Sequence, residues 1–498
     1  VALLFMDGFD KYGAANSNST AVNALLTAGE WTTSAGSSTT IVTPLSSNGF
    51  ALGIAGAQNV AKTLAASYSR LVGGFRFSSN LAIAGGISLL DTATAQASVT
   101  INTTGTVSVR NGNLAGTALG TSAASITANT THYLEFDITF GNTAAYQVWM
   151  DGVSVLSGSG DTTATANNTA NAILLGGQSG LSITFDDFYL FDTTGTTNNA
   201  PLLTSPRIET QFPSADGAVQ FAVGAAILGN SVSGQGGAVN VAVNFFYVRP
   251  HTPTRNCTIN SISYAASSST VGANFRPIIY SDNAGVPGTL LSAGATVVGA
   301  AAGLTATMPL TTPQALVAGT QYWLGFMNDS SVTSAITSGY AGSGARSATV
   351  TFSSGAPGTA PVTTGGANSA LVWGNVSSTG ANYYEVSQNP PQGSLSYLFD
   401  ATIGHEDLFA FSALSAPPSA IYAVAVKASL AKSDAGAKTA SLRLKSGATD
   451  SAGTGGTALA PGTSFGWMTS LYERDPNGNI AWTKTALDAA QAGVKVET

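Results

Sequence analysis

Charge is what this sequence has least of. Only 9% of its 498 residues are Asp, Glu, Lys or Arg, against about 25% in an ordinary soluble domain. Without it, a helical bundle laced by ion pairs is excluded, and a 44% apolar content excludes a disordered chain. The 18 bases are thinly scattered against 25 acids, so no basic stripe exists to neutralise phosphates and nucleic acid is not an expected partner. A single cysteine, Cys257, forms no intramolecular disulfide and reads as a small buried hydrophobe. His132, His251 and His405 have neither ligand-spaced companions nor a Ser or Cys at triad spacing, so they read as surface or turn residues. No run of about 18 apolar residues appears, and Asp7 interrupts Val1 to Met6 too early for a signal h-region; a soluble chain without a membrane span is expected.

What fills the sequence instead is Gly, Ala, Ser, Thr and Asn around short alternating runs. From His132 to Phe140, Leu134, Phe136, Ile138 and Phe140 share one face, and Tyr133, Glu135, Asp137 and Thr139 the other, which reads as solvated. Asp151-Gly152 and Asn111-Gly112 follow such runs and predict type I′ hairpins, because both central residues must accept positive φ. A meander of half-buried antiparallel strands implies a two-sheet sandwich.

Phe5-Met-Asp-Gly-Phe-Asp10, Trp149-Met-Asp-Gly-Val153 and Phe185-Asp-Asp-Phe-Tyr189 resemble the laminin-G-like, concanavalin A-like jelly rolls of bacteriophage structural proteins. Lys432-Ser-Asp-Ala-Gly436, Arg443-Leu-Lys-Ser-Gly447 and the stretch from Trp482 to Lys495 resemble the end region of the same phage proteins. Pro201, Pro206 and Pro213 mark an arm, and a comparable stretch from Tyr383 to Pro391 runs into His405 to Phe411. In the resembling proteins such pieces are neighbours, which implies an insertion between them. The expected organisation is a jelly roll over 1–200, an arm over 201–224, an inserted β-sandwich over 225–378, a connector over 379–410, and a C-terminal unit over 411–498. The fold class is mainly β: a jelly-roll sandwich, a second inserted β-sandwich, and a small α+β C-terminal unit with one helix. That helix is expected from Trp482 to Ala492, ended by Gly493.

Chemistry is sparse. Glu135-Phe-Asp137 echoes the Glu-x-Asp-x-x-Glu of laminarinase-like hydrolases on this fold, but position 140 is Phe, so the second carboxylate is missing and no catalytic residue is assigned. Asp7 and Asp10, with Asp186, Asp187 and Asp192, converge if the terminal strands are adjacent, as in the resembling fold; the first two with Asp186 and Asp187 are candidate calcium ligands, the only cofactor considered. Trp149, Trp323 and Trp373, and secondarily Tyr383-Tyr384, are candidate glycan platforms, Trp149 foremost because Val148 and Met150 point the other way. Gly234 to Gly237 and Gly453 to Gly456 lack a following Lys-Ser/Thr and read as loops.

Six of the eight lysines lie in the last 72 residues, from Lys427 to Lys495, and mark a unit expected to dock on other virion proteins. The resemblance implies a non-enzymatic virion protein on the particle surface, with homo-oligomers, trimers among them, and no membrane or nucleic-acid partner. Two functions follow: a tail fibre, spike or tail-tip adhesin that binds host-surface carbohydrate, or a capsid or tail decoration (cement) protein needing no ligand. A polysaccharide depolymerase is the lesser third.

Overall fold

The computed structural model describes every residue except 1–2, 14–18, 29, 36–38, 47–48, 83, 178–181, 226, 229–237, 241–242, 254–255, 267–269, 302–303, 330–334, 338–343, 366–371, 378–381 and 390–395. The Gly234 to Gly237 loop and the Pro390-Pro391 pair therefore lie outside the described residues. The chain forms two compact units, one of Val1–Gln220 with Ala401–Thr498 and one of Phe221–Asp400. The inserted unit is thus wider than 225–378 and takes in most of the expected connector. The C-terminal segment packs with the jelly roll as one unit.

In the first unit, the alternating runs build a two-sheet jelly-roll sandwich. Its eight-stranded sheet runs in the order 153–160, 144–150, 131–139, 70–79, 182–191, 51–55, 39–42, with Leu3–Asp7 also paired to 182–191. Its seven-stranded sheet runs 117–121, 107–111, 94–101, 85–91, 170–177, 59–68, 33–35. Between them lie Leu134, Phe136, Ile138, Phe75, Phe77, Val99, Val109 and Leu175, one face of each strand, as period two requires. Asp151 and Gly152 have φ of 51° and 79° and close a two-residue turn, with Met150 paired to Val153. The Asn111-Gly112 expectation is corrected: Asn111 still pairs with Thr117, so the loop is 112–116, and only Gly112 of the two has positive φ. A helix not foreseen, Ser19–Ala28, buries Val22 and Leu26, four residues apart on one face.

Part of the outer face of the eight-stranded sheet is covered too. Leu3, Val72, Tyr133, Tyr189 and Phe191 form a second apolar layer with Leu202 of the arm and Ala423 and Leu471 of the C-terminal segment. That segment pairs 424–430 with 466–472, and its sheet orders 213–216, 406–411, 491–496, 440–446, 449–451. The helix expected over 482–492 is only Lys484–Asp488, capped by the Thr483 hydroxyl accepting the Ala486 N–H at 3.1 Å. From Gln491 the chain is a central strand instead, flanked on both sides, and a Cβ on Gly493 would lie 1.7 Å from the Asp407 carbonyl oxygen.

The second unit is another β-sandwich. A seven-stranded sheet (286–293, 274–283, 322–328, 245–251, 346–349, 364–365, with 297–298 beside 274–283) packs on a four-stranded one (227–228, 372–377, 257–265, 305–316) through Tyr247, Ile259, Tyr264, Phe275, Leu324 and Phe326. Cys257 is buried in this core, and its sulfur belongs to packing. His251, expected at a surface or turn, is instead a buried strand residue. Among the described residues no helix is long and apolar enough to cross a membrane.

Candidate functional site

Strand alternation decides which tryptophans reach the surface. Trp323 is 2% exposed and Trp373 1% exposed. Trp323 packs with Tyr280, Phe246 and Met327 and donates its indole N–H to Asp282 at 2.8 Å. Both are interior residues, which corrects their reading as glycan platforms: the turn 352–354 brings Phe352 over the Trp323 layer, so that sheet face is core rather than surface. Trp31 and Trp482 are buried as well, with N–H groups given to Asp7 and to the Tyr472 carbonyl. Trp149 and Trp467 are half-buried; Trp467 was not singled out by sequence reasoning, although its strand, Gly466–Tyr472, carries no stronger signal than its neighbours.

Around Trp149 the sheet offers a polar strip. On strand Ala144–Met150 Trp149 and Gln147 point outward while Tyr146, Val148 and Met150 enter the core. Opposite Trp149 stand Glu135 and Ser154, and opposite Gln147 stand Asp137 and Ser157. Gln147 donates to the Ser154 hydroxyl at 3.1 Å. Arg70 makes a two-pronged contact with Asp137 at 2.8 and 2.6 Å, which fixes both heads and raises the guanidinium further above its ordinary range. Since cross-strand neighbours sit about 5 Å apart, indole, amide, hydroxyls, carboxylate and guanidinium share one continuous face. The Tyr383 and Tyr384 rings lie 4.1 Å apart and are half-buried.

Glu135, expected on a solvated face, is 1% exposed. It accepts the Tyr189 hydroxyl and the backbone N–H groups of Leu202 (2.8 Å) and Leu203 (3.0 Å). Burial, then the charge of Glu135, raises the Tyr189 phenol well above its usual range. The arm 201–204 consumes this carboxylate, so it anchors chain and cannot reach a substrate.

The four candidate calcium ligands do come to one end of the jelly roll, because Asp7 pairs with Phe188 beside Asp187. There strand Ser182–Phe191 changes partner from 51–55 to 3–7, with Asp187 at φ 49°. Their oxygens, however, face donors. Asp7 accepts Lys11 Nζ (2.7 Å), Phe9 N–H (2.9 Å), Tyr12 O–H (2.9 Å) and Trp31 N–H (3.0 Å). Asp187 accepts Arg76 (2.8 Å) and Ile208 N–H (2.7 Å). Asp10 takes the N–H groups of Phe50 and Thr210, and Asp186 those of Leu45 and Asp187. Burial pushes Asp10 up to about 6 and Asp186, further opposed by Asp187, up to about 7. Among the described residues no three His, Cys, Asp or Glu side chains form a metal-sized group. Asp192 binds its own turn at Thr194.

Sequence reasoning missed a charge cluster beneath the opening motif. Glu30, 9% exposed, accepts Lys427, Lys11 (3.0 Å) and the Thr469 hydroxyl, while Lys62 reaches its carbonyl oxygen. Burial alone would raise the Glu30 carboxyl, yet Lys427 and Lys11 hold it well below the carboxylate range. Burial lowers Lys427 and Lys62 against the pull of Glu30. Lys427, first of the C-terminal lysines, is thereby committed within the chain.

No family model matches the chain, and no curated protein matches it. Among solved structures it is similar to the botulinum neurotoxin type G receptor binding domain (10% identity, 31% of this chain and 40% of that one, TM-score 0.22). It is similar to the carbohydrate binding module CBM66 from Bacillus subtilis (12% identity, 33% and 96%, TM-score 0.25) and to alginate lyase Aly36B (12% identity, 38% and 96%, TM-score 0.26). The chain thus spans well under half of the neurotoxin domain's length, and likeness at these scores is no guide to what it binds.

Proposed function

We propose that this chain is a non-enzymatic binding and display protein of a bacteriophage particle, and that the sheet face around Trp149 binds host-surface glycan. The observation that carries the binding reading is the Trp149 indole, half-buried on the outer sheet face beside Gln147, Ser154, Ser157 and the Arg70–Asp137 pair. Sugar rings pair an apolar C–H face with hydroxyls that need both donors and acceptors; an indole flanked by amide, hydroxyl and paired charges supplies both. Support for the particle reading is the sequence resemblance of 432–436, 443–447 and 482–495. A surface poor in charge keeps its binding little affected by salt, since few ion pairs are screened.

The test is a glycan array with the full chain and with Trp149→Ala. Retention of a glycan class by the parent, weakened about tenfold or more in the variant, a loss of ~1.4 kcal/mol, upholds the reading. No glycan retained by the parent overturns it and leaves decoration. Immunogold microscopy on the particle then separates an adhesin, with gold at the tail tip or fibres, from a cement protein, with gold over the head or tail tube.

A further inference from the structure

The buried cluster under the opening motif holds the parts of a condensation reaction. Lys11, 4% exposed, and Asp7, 2% exposed, face each other at 2.7 Å. Glu30 stands 3.0 Å from the same amine. The second Asp7 oxygen, Oδ2, is held by two neutral donors, Tyr12 O–H at 2.9 Å and Trp31 N–H at 3.0 Å. Phe5, Phe9, Tyr12 and Trp31 wall the group, with Phe9 and Trp31 stacked at 5.9 Å and Phe5 edge-on to Trp31 at 5.2 Å. These are a nucleophile, an acyl group, a proton carrier at hydrogen-bond distance from the nucleophile, and donors placed for a developing oxyanion.

We propose that Asp7 and Lys11 condense into an intramolecular isopeptide bond, with Glu30 carrying the protons. Lys11 passes one proton to Glu30 transiently, against the resting charges, in which Asp7 and Glu30 hold the proton on Lys11 and Lys427 keeps Glu30 ionised, and the freed amine lone pair attacks Cγ of Asp7. The charge that gathers on Oδ2 is held by Tyr12 and Trp31. Oδ1 then takes the proton from Glu30 and a second one from the nitrogen, and the C–Oδ1 bond breaks. The carboxylate and ammonium become an amide and one water, with no oxidant, reductant or other reactant. Three features favour the step. The amide removes two charges from an interior of low polarity. Four-residue spacing makes the encounter intramolecular. Lys427 and Thr469 hold Glu30 in place. Lys427 and Lys62 do not share this geometry: beyond Glu30 their amines meet the Met6 carbonyl oxygen and the Glu30 carbonyl oxygen.

The test is the intact mass of the denatured full chain, followed by tandem mass spectrometry of its tryptic peptides. The expected result is a chain lighter than its sequence by one water, a branched Asp7–Lys11 peptide uncut at Lys11, and full mass in both Lys11→Arg and Glu30→Gln. Full mass in the parent overturns the proposal whether or not the variants fold. So does a water loss that persists in Lys11→Arg, which assigns it to succinimide formation at Asp7-Gly8.

Discussion

The two units bury charge in different ways. The first encloses Asp7, Lys11, Glu30, Glu135, Asp186 and Asp187 in its interior, nearly all of them in contact with an opposite charge or with backbone N–H groups. The second buries Glu385, which accepts the Ser396 hydroxyl at 2.9 Å, and Arg249 and His251 at the end of one strand, where burial, then Arg249, brings the imidazole down to about 3. In a chain with so few charges, several of those that remain are fixed points inside the fold. The contrast teaches that the first unit meets its buried carboxylates with cations and backbone N–H groups, whereas the second sets a buried guanidinium beside an imidazole that is driven toward its neutral form.

The largest way to break that contrast is Lys427→Ala, which takes the nearer of its two cations from the buried Glu30 and leaves Lys11 alone to balance it. The first unit is expected to lose about 3–5 kcal/mol, seen as a fall of one calorimetric transition while that of the second unit stays put. Trp323→Ala is the mirror experiment, with about 3–5 kcal/mol lost from the second unit alone. Trp149→Ala, by comparison, should change the first transition by less than about 1 kcal/mol while weakening the proposed glycan retention about tenfold or more.

The pH response sharpens the comparison further. Asp10 and Asp186 have raised folded values, about 6 and 7 against 3.8, so the folded state binds more protons than the unfolded one across that window. Their contribution is full below pH 3.8 and is lost as pH rises through 6 to 7. For His251, lowered to about 3 from 6.5, the unfolded state binds more protons, so stability is full above pH 6.5 and is lost as pH falls toward 3. Glu30 and Glu209 in the first unit and Asp282 in the second are lowered and lose stability on acidification. The differences between parent and variant isolate each group. Asp186→Asn should gain stability relative to the parent as pH rises from 4 to 7, and His251→Gln should gain relative to the parent as pH falls from 6.5 to 4, each read by calorimetry on its own transition. The smallest expected effect is that of metal: EDTA or added Ca²⁺ should leave both transitions unmoved, because a ligand that binds the folded state raises its melting temperature by mass action.

Much of the fold was legible in residues 132–153. The alternation of Leu134, Phe136 and Ile138 and the Asp151-Gly152 turn report local geometry, and local geometry is written in neighbouring residues. Trp149 was legible for the same reason, since its strand neighbours must point inward. Trp323 and Trp373 were not, because whether a sheet face is solvent or core depends on what distant chain lies on it. Glu135 failed identically: its strand placed it outward, and residues 202 and 203, far along the sequence, covered it. The C-terminal helix was overestimated because Ala and Gln propensity yields where a strand between two partners gains hydrogen bonds on both edges.

By itself the sequence determined that this protein is mainly β and that its core is built from one face of each strand. Strand periodicity and composition are short-range properties and need no fold to be read. Only the tertiary structure decided that Lys427 meets Glu30 across 397 residues, that the acidic opening and closing motifs face amide and cationic donors, and that Asp7 and Lys11 share a sealed aromatic pocket with a second carboxylate. Such groups act through distance and desolvation, and both are set when remote segments are brought together and water is excluded.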